Sequence, residues 1–187
     1  MFDQAFYALD IIVAFSIPAF ITIGVLRGRF SSRVVQALIL GFLLGASWEV
    51  GFYFVGPETS SEPLYTQLRP FPGHPLLQTL SHSLWDAGLF MVGYGLVVWC
   101  CHDPFRSFRW RELSLMLLWG GLQELAVEII AISSNAWTFN VKPWNPKLFD
   151  YGAHQITLIP QLIWFVAPIL FYGGVLLIHR SNIPRRT

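Results

Sequence analysis

Five long apolar runs, each interrupted by a few polar residues, dominate the sequence. They extend roughly from Ala5 to Leu26, Val34 to Val55, Leu76 to Cys101, Leu113 to Ser133 and Ile156 to Ile178. A helix needs about 20 apolar residues to cross a bilayer, so each run predicts one membrane-spanning helix. The first run opens with "MFDQAFYALD", which lacks the positive start of a cleavable signal peptide and reads as a span. Two intervening segments, "GPETSSEPLYTQLRPFPGHP" and "NAWTFNVKPWNPKLFDYGAH", are rich in turn residues and aromatics. They are expected to be loops whose Trp and Tyr anchor the membrane interface, with a lid over a cavity as the alternative.

The polar residues inside the runs are not scattered. Glu124 and Glu128 lie four apart, hence on one face of the fourth helix. His82 and Asp86 repeat that spacing on the third, with Gln78 near the same line. On the second, Glu49 continues a face begun by Gly41 and Gly45, and Tyr53 follows it. Gln161, Trp164 and Pro168 form a stripe on the fifth. An ionisable group in mid-membrane costs at least ~2.5 kcal/mol, so acids from several helices at similar depth predict one inward-facing site. Small residues beside them suit close helix packing. Asp10, near the edge of the first helix, is expected to be structural and wet.

Composition agrees with this picture. Hydrophobic residues make up 54% and charged residues only 12% of the 187, too little polar surface for a soluble domain. The fold class expected is all-α, a single transmembrane domain over residues 1–187 enclosing a polar-lined cavity. A net charge of +1 without a basic tract argues against nucleic acid as a partner. Cys100 and Cys101 are adjacent, so no disulfide framework follows, and their place at a membrane edge allows palmitoylation. Arg27, Arg29 and Arg33, then Arg106, Arg109 and Arg111, then Arg180, Arg185 and Arg186 fall on one side of a five-span topology. Only Arg69, Lys142 and Lys147 fall on the other. The positive-inside rule then puts the amino terminus outside or in the lumen and the carboxyl terminus in the cytoplasm. The membrane is the endoplasmic reticulum in a eukaryote, or the inner membrane in a bacterium.

Apposed carboxylates with a histidine suit general acid–base chemistry. Burial in an apolar pocket disfavours the charged form of a carboxylic acid, which makes it a proton donor to a carbon–carbon double bond. The resulting carbocation is stabilised by carboxylate charge and by Trp faces. Trp48, Trp85, Trp119 and Trp164 are candidates for that lining, whereas Trp137 is expected to anchor the interface. A carboxylate metal centre is the rival, but its usual Glu-x-x-His pairing is missing, so neither a metal nor another cofactor is expected.

The segment "QLIWFVAPILFYGGVLL" resembles the last helix of the emopamil-binding-protein, or EXPERA, family. That helix carries an Asn, a Trp three residues later and a Pro four after that, matched by Gln161, Trp164 and Pro168. "EVGFYF" resembles the stretch that starts at the family's second-helix glutamate, matched by Glu49, although Gly45 stands where the family's isomerases have a His. The third-helix acid would be Asp86 or His82. The resemblance implies a helix bundle around a sterol-sized cavity in which acids move a ring double bond. "SWEVGFYF" is also similar to the Trp-Glu motif of membrane-bound meroterpenoid cyclases, which begin cyclisation by protonation.

The expectation is therefore an isomerase or cyclase of a sterol- or terpenoid-like lipid. Glu49 and Asp86 would be proton donor and base, and His82, Glu124 and Glu128 would tune them. Trp48, Tyr53, Trp85, Trp119, Gln161 and Trp164 would line the substrate site. The partners expected are a hydrophobic small-molecule lipid and the membrane, with a homodimer left open. A non-catalytic binder of lipids or cationic amphiphiles and a proton-coupled transporter are the alternatives.

Overall fold

The computed structural model describes residues 2–57 and 59–181, with side chains from Tyr7 to Arg180; Arg185 and Arg186 lie outside the described residues. Five helices build it: α1 (Phe2–Leu26), α2 (Ser32–Val55), α3 (Pro75–Cys100), α4 (Trp110–Ser133) and α5 (Leu158–Ser181). All five are long and apolar enough to cross a membrane. At 1.5 Å per residue they measure about 36–39 Å, against roughly 30 Å of hydrocarbon. Their outer faces carry exposed Phe20, Leu43, Leu118, Phe165 and Leu177.

Local chemistry sets the ends. Pro75 occupies the first turn of α3, where its missing N–H costs nothing, and His74 Nδ1 accepts from the Leu76 N–H at 3.2 Å. After α4, Asn135 takes a left-handed conformation (φ 51°), and the Ala136 N–H returns to the Ala131 carbonyl at 2.9 Å. Asn145, fully buried, caps α5 from outside the helix: its Oδ1 accepts from the Ile159 N–H at 2.7 Å.

The bundle is held by close approaches at glycine. A Cβ at Gly45 of α2 would stand 2.7 Å from Asp86 Cβ on α3. A Cβ at Gly120 of α4 would stand 2.8 Å from the Trp164 carbonyl oxygen and 2.7 Å from Pro168 Cγ on α5. Below these contacts Ala37, Phe90, Met116, Ala167, Phe171 and Val175 form a closed core. Phe90 stacks on Phe171 at 4.7 Å and tilts against Trp164 at 5.0 Å.

The two turn-rich segments are not irregular. β1 (Tyr65–Gln67) pairs antiparallel with β2 (Trp137–Phe139), setting Tyr65 opposite Phe139 and Gln67 opposite Trp137. β3 (Lys147–Tyr151) and β4 (His154–Thr157) form a hairpin turning at Gly152 (φ 60°). The bundle is all-α as expected, but its cap holds four short strands. Strands of three to five residues leave no usable alternation, and β1 finds its partner some 70 residues away. Because Ile156 and Thr157 pair with β3, α5 begins at Leu158, two residues after the expected Ile156.

Gly45→Ala is expected to lower the unfolding temperature in detergent, at an overpacking cost of about 1–3 kcal/mol. Gly121→Ala, where nothing stands within 4 Å of the new Cβ, is expected to be neutral or stabilising by up to ~1 kcal/mol. Equal effects at the two sites would refute the close approach of α2 and α3.

Candidate functional site

Between the helices, at the end covered by the strands, lies a cavity of about 310 Å³. The glycine contact of α2 on α3 continues into it. One turn beyond Gly45 comes Glu49, and in the antiparallel partner one turn before Asp86 comes His82. The two meet: His82 Nδ1 is 3.5 Å from Glu49 Oε2. On the other side of the ring, Nε2 is 3.3 Å from Oδ2 of Asp10, which α1 supplies. This second contact has ion-pair distance without in-line hydrogen-bond geometry.

Asp86 and Glu124 complete the acidic wall, from α3 and α4. Asp86 has Glu49, His82 and Glu124 as its charged neighbours and the Trp48 indole beside it. Its Oδ2 is buried without a hydrogen-bond partner. Four carboxylates and one imidazole thus share the chamber, and no Lys or Arg lines it among the described residues. The rest of the lining is largely aromatic. Trp48, Trp85 and Trp164 come from helices, and Tyr65, Trp137 and Phe139 come from the strands. Trp48 and Trp164 meet edge-on at 5.8 Å and close the floor. Among the described residues, no three His, Cys, Asp or Glu side chains are arranged to hold a metal ion.

The structure divides the residues expected from sequence. Glu49, His82, Asp86, Glu124, Trp48, Tyr53, Trp85 and Trp164 all line the cavity. Glu128, Gln161 and Trp119 do not. Glu128 is buried behind the wall, where its Oε2 accepts from Gln161 Nε2 at 2.8 Å, so the pair ties α4 to α5. Trp119 Nε1 donates to the Leu89 carbonyl at 2.8 Å and fastens α4 to α3. A four-residue spacing puts two acids on one face, but that face is wide enough for Glu124 to reach the cavity while Glu128 meets a neighbouring helix.

Two expectations are corrected. Asp10 is 6% exposed, lines the cavity and accepts from Ser81 Oγ at 3.4 Å, so it belongs to the interior of the bundle and not to its edge. Trp137 faces inward, its ring 5.3 Å from that of His82, whereas Trp144 remains exposed. Sequence reasoning missed Tyr65 and Phe139 altogether, because the three-residue strands that carry them are too short to show a period. It also passed over Glu112, which is fully buried at the opposite end and accepts from Tyr172 Oη at 2.9 Å and from the Phe105 N–H at 3.3 Å.

The sequence matches no protein-family model, and no curated protein or solved structure is significantly similar to it.

Gln161→Leu leaves Glu128 buried without its side-chain donor. It should destabilise the protein by about 1–3 kcal/mol in detergent unfolding while leaving the cavity lining intact. An unchanged unfolding temperature would mean that the pair holds nothing.

Proposed function

We propose that the chain is an integral membrane enzyme that isomerises or cyclises a sterol- or terpenoid-like lipid by protonation and deprotonation. Five apolar helices with exposed greasy faces support insertion in the bilayer. The arginines of the α1–α2 and α3–α4 connections, and Arg180, support a cytoplasmic carboxyl terminus and an external or lumenal amino terminus. The emopamil-binding-protein resemblance remains part of this proposal, as does the likeness to membrane-bound terpene cyclases.

One observation carries the chemistry. Four helices each bring a carboxylate to one chamber whose other walls are aromatic and aliphatic, and which no Lys or Arg lines among the described residues. A carboxylic acid there delivers a proton to an alkene, and a second carboxylate or His82 removes one from a neighbouring carbon. Between the two steps the substrate carries positive charge. Carboxylates and the faces of Trp48, Trp85 and Trp164 favour that charge without neutralising it. Glu49 and Asp86 are assigned as donor and base, with Glu124 stabilising the cation. The ring contacts among Trp48, Phe90 and Trp164 support a chamber that ends inside the bundle over a conduit through it, which weakens the transporter alternative.

Mass spectrometry of lipid extracted from the purified protein, followed by conversion assays on sterols and linear terpenoids, tests the proposal. A polycyclic or polyprenyl lipid is expected, together with a product whose formation falls at least ~100-fold in Glu49→Gln while the lipid is still retained. Retention of lipid without any product would replace catalysis by binding alone. Undiminished turnover in Glu49→Gln would remove Glu49 from the mechanism.

A further inference from the structure

We propose that the chamber is entered sideways from the hydrocarbon of the external or lumenal leaflet, through a portal at Leu9 of α1 and Ile130 of α4, and that these two side chains govern which apolar lipids reach the acids. The portal rests on the reading above that the chain lies in a bilayer and takes up a lipid. Leu9 and Ile130 both line the cavity, yet they are 58% and 53% exposed. By contrast Gln78, Glu124, Phe139 and Trp164 line it from buried positions. At 1.5 Å per residue, Leu9 lies about 10 Å from the outer end of α1 and Ile130 about 5 Å from that of α4. The helices exceed the hydrocarbon thickness by only a few ångströms at each end, so Ile130 stands at the outer edge of the hydrocarbon and Leu9 just inside it.

Both residues lead directly to the acids. Leu9 adjoins Asp10 in sequence. On α4, Glu124, Val127 and Ile130 recur every three residues and all line the cavity, so one helix face runs from acid to flank. Above the flank, buried Tyr7 clusters with Ala131 and Ala136, which brings α1 to the outer end of α4. The other seams are tied. Gly45 packs on Asp86 where α2 meets α3, and Trp119 bonds to the Leu89 carbonyl where α4 meets α3. Gln161 bonds to Glu128 between α4 and α5, and Trp48 meets Trp164 between α2 and α5. The cap is fastened by the β1–β2 pairing and by the Leu64 N–H, which donates to the Val55 carbonyl at 2.8 Å. Parting any of these breaks a hydrogen bond or a packed contact. Turning Leu9 or Ile130 to another staggered rotamer breaks no hydrogen bond, and exposed side chains make such turns within nanoseconds. Neither side chain carries a polar atom, so the portal passes the apolar body of a lipid and offers nothing to a charged headgroup.

Access can be read without a substrate. The protein in phosphatidylcholine vesicles is photolabelled with a diazirine-bearing alkane dissolved in the bilayer, and the labelled residues are mapped by mass spectrometry. Label is expected on Trp48, Trp85 and Trp164 in the chamber, as well as on the outward-facing Leu118 and Phe165. Leu9→Trp and Ile130→Trp should each lower chamber labelling several-fold while Leu118 and Phe165 keep theirs. Leu9→Ala and Ile130→Ala should raise it, which keeps the test decisive if the bulkier variants do not fold. Gln67→Ala, which loosens the cap, should leave the pattern as it is. An unlabelled chamber in the wild type, unchanged chamber labelling in the flank variants, or a larger change in Gln67→Ala would each overturn the portal. The functional proposal fails separately. If chamber labelling follows the flank variants but no lipid is converted, the portal stands and the enzyme reading falls.

Discussion

The whole site depends on how closely α2 can lie on α3. Gly45 has no side chain, and Asp86 occupies the space where one would stand. The contact fixes an antiparallel register in steps of one turn. Gly41 meets Ala87 and Phe90, Gly45 meets Ser83 and Asp86, and Glu49 arrives opposite His82. Were the helices held a side chain farther apart, Glu49 and His82 would lose their contact and the chamber would join the bundle seam. Glycine packing in the lower half therefore places the acids in the upper half. A van der Waals contact between backbones, and not an attraction between charges, sets the charged geometry.

The two ends of the bundle handle buried charge differently. At the strand-covered end Asp10 and Glu49 share one imidazole, and Asp86 Oδ2 is buried against Gly45 without a hydrogen-bond partner. At the other end Glu112 is enclosed by Tyr172, by the Phe105 N–H and by Arg109, whose guanidinium lies 3.8 Å away. That second cluster anchors the α3–α4 connection, in which Asp103 and Phe105 both adopt left-handed backbone conformations. Such strain persists only where surrounding contacts fix it. Both ends keep a buried carboxylate oxygen without a hydrogen bond, Glu112 Oε1 and Asp86 Oδ2, but only Glu112 has a guanidinium beside it.

The helices were legible in the sequence because hydrophobic length is a local property; all five runs became helices, with ends shifted by a few residues. The acids facing inward were legible for the reason that makes them costly, since burial without function or partner is disfavoured. Which acid lines the chamber was not legible. Glu124 and Glu128 have the same spacing from their neighbours, and only the position of Gln161 on α5 separates the one that is bonded away from the one that is not. Asp10 was misjudged because depth was inferred from distance to a helix end. In the structure α1 is covered there: Tyr7 is 3% exposed, clusters with Ala131 and Ala136, and bonds to the Arg69 carbonyl at 2.9 Å. Pairing of β1 with β2 is non-local and left no periodic trace.

That same pairing decides what sort of molecule the chamber suits. The strands bring Tyr65, Trp137 and Phe139 over the acids, so the cap is aromatic on its inner side, and Gln67 bonds to Gln78 at 2.6 Å beneath it. On the flank, Leu9 of α1 and Ile130 of α4 line the cavity and are also 58% and 53% exposed on the outer surface. The wall at those points is one apolar side chain thick, and leucine and isoleucine change rotamer without breaking a hydrogen bond. Under the proposed function, a reactant dissolved in the bilayer would enter at this thin apolar flank, and the aromatic cap would shield its carbocation from solvent.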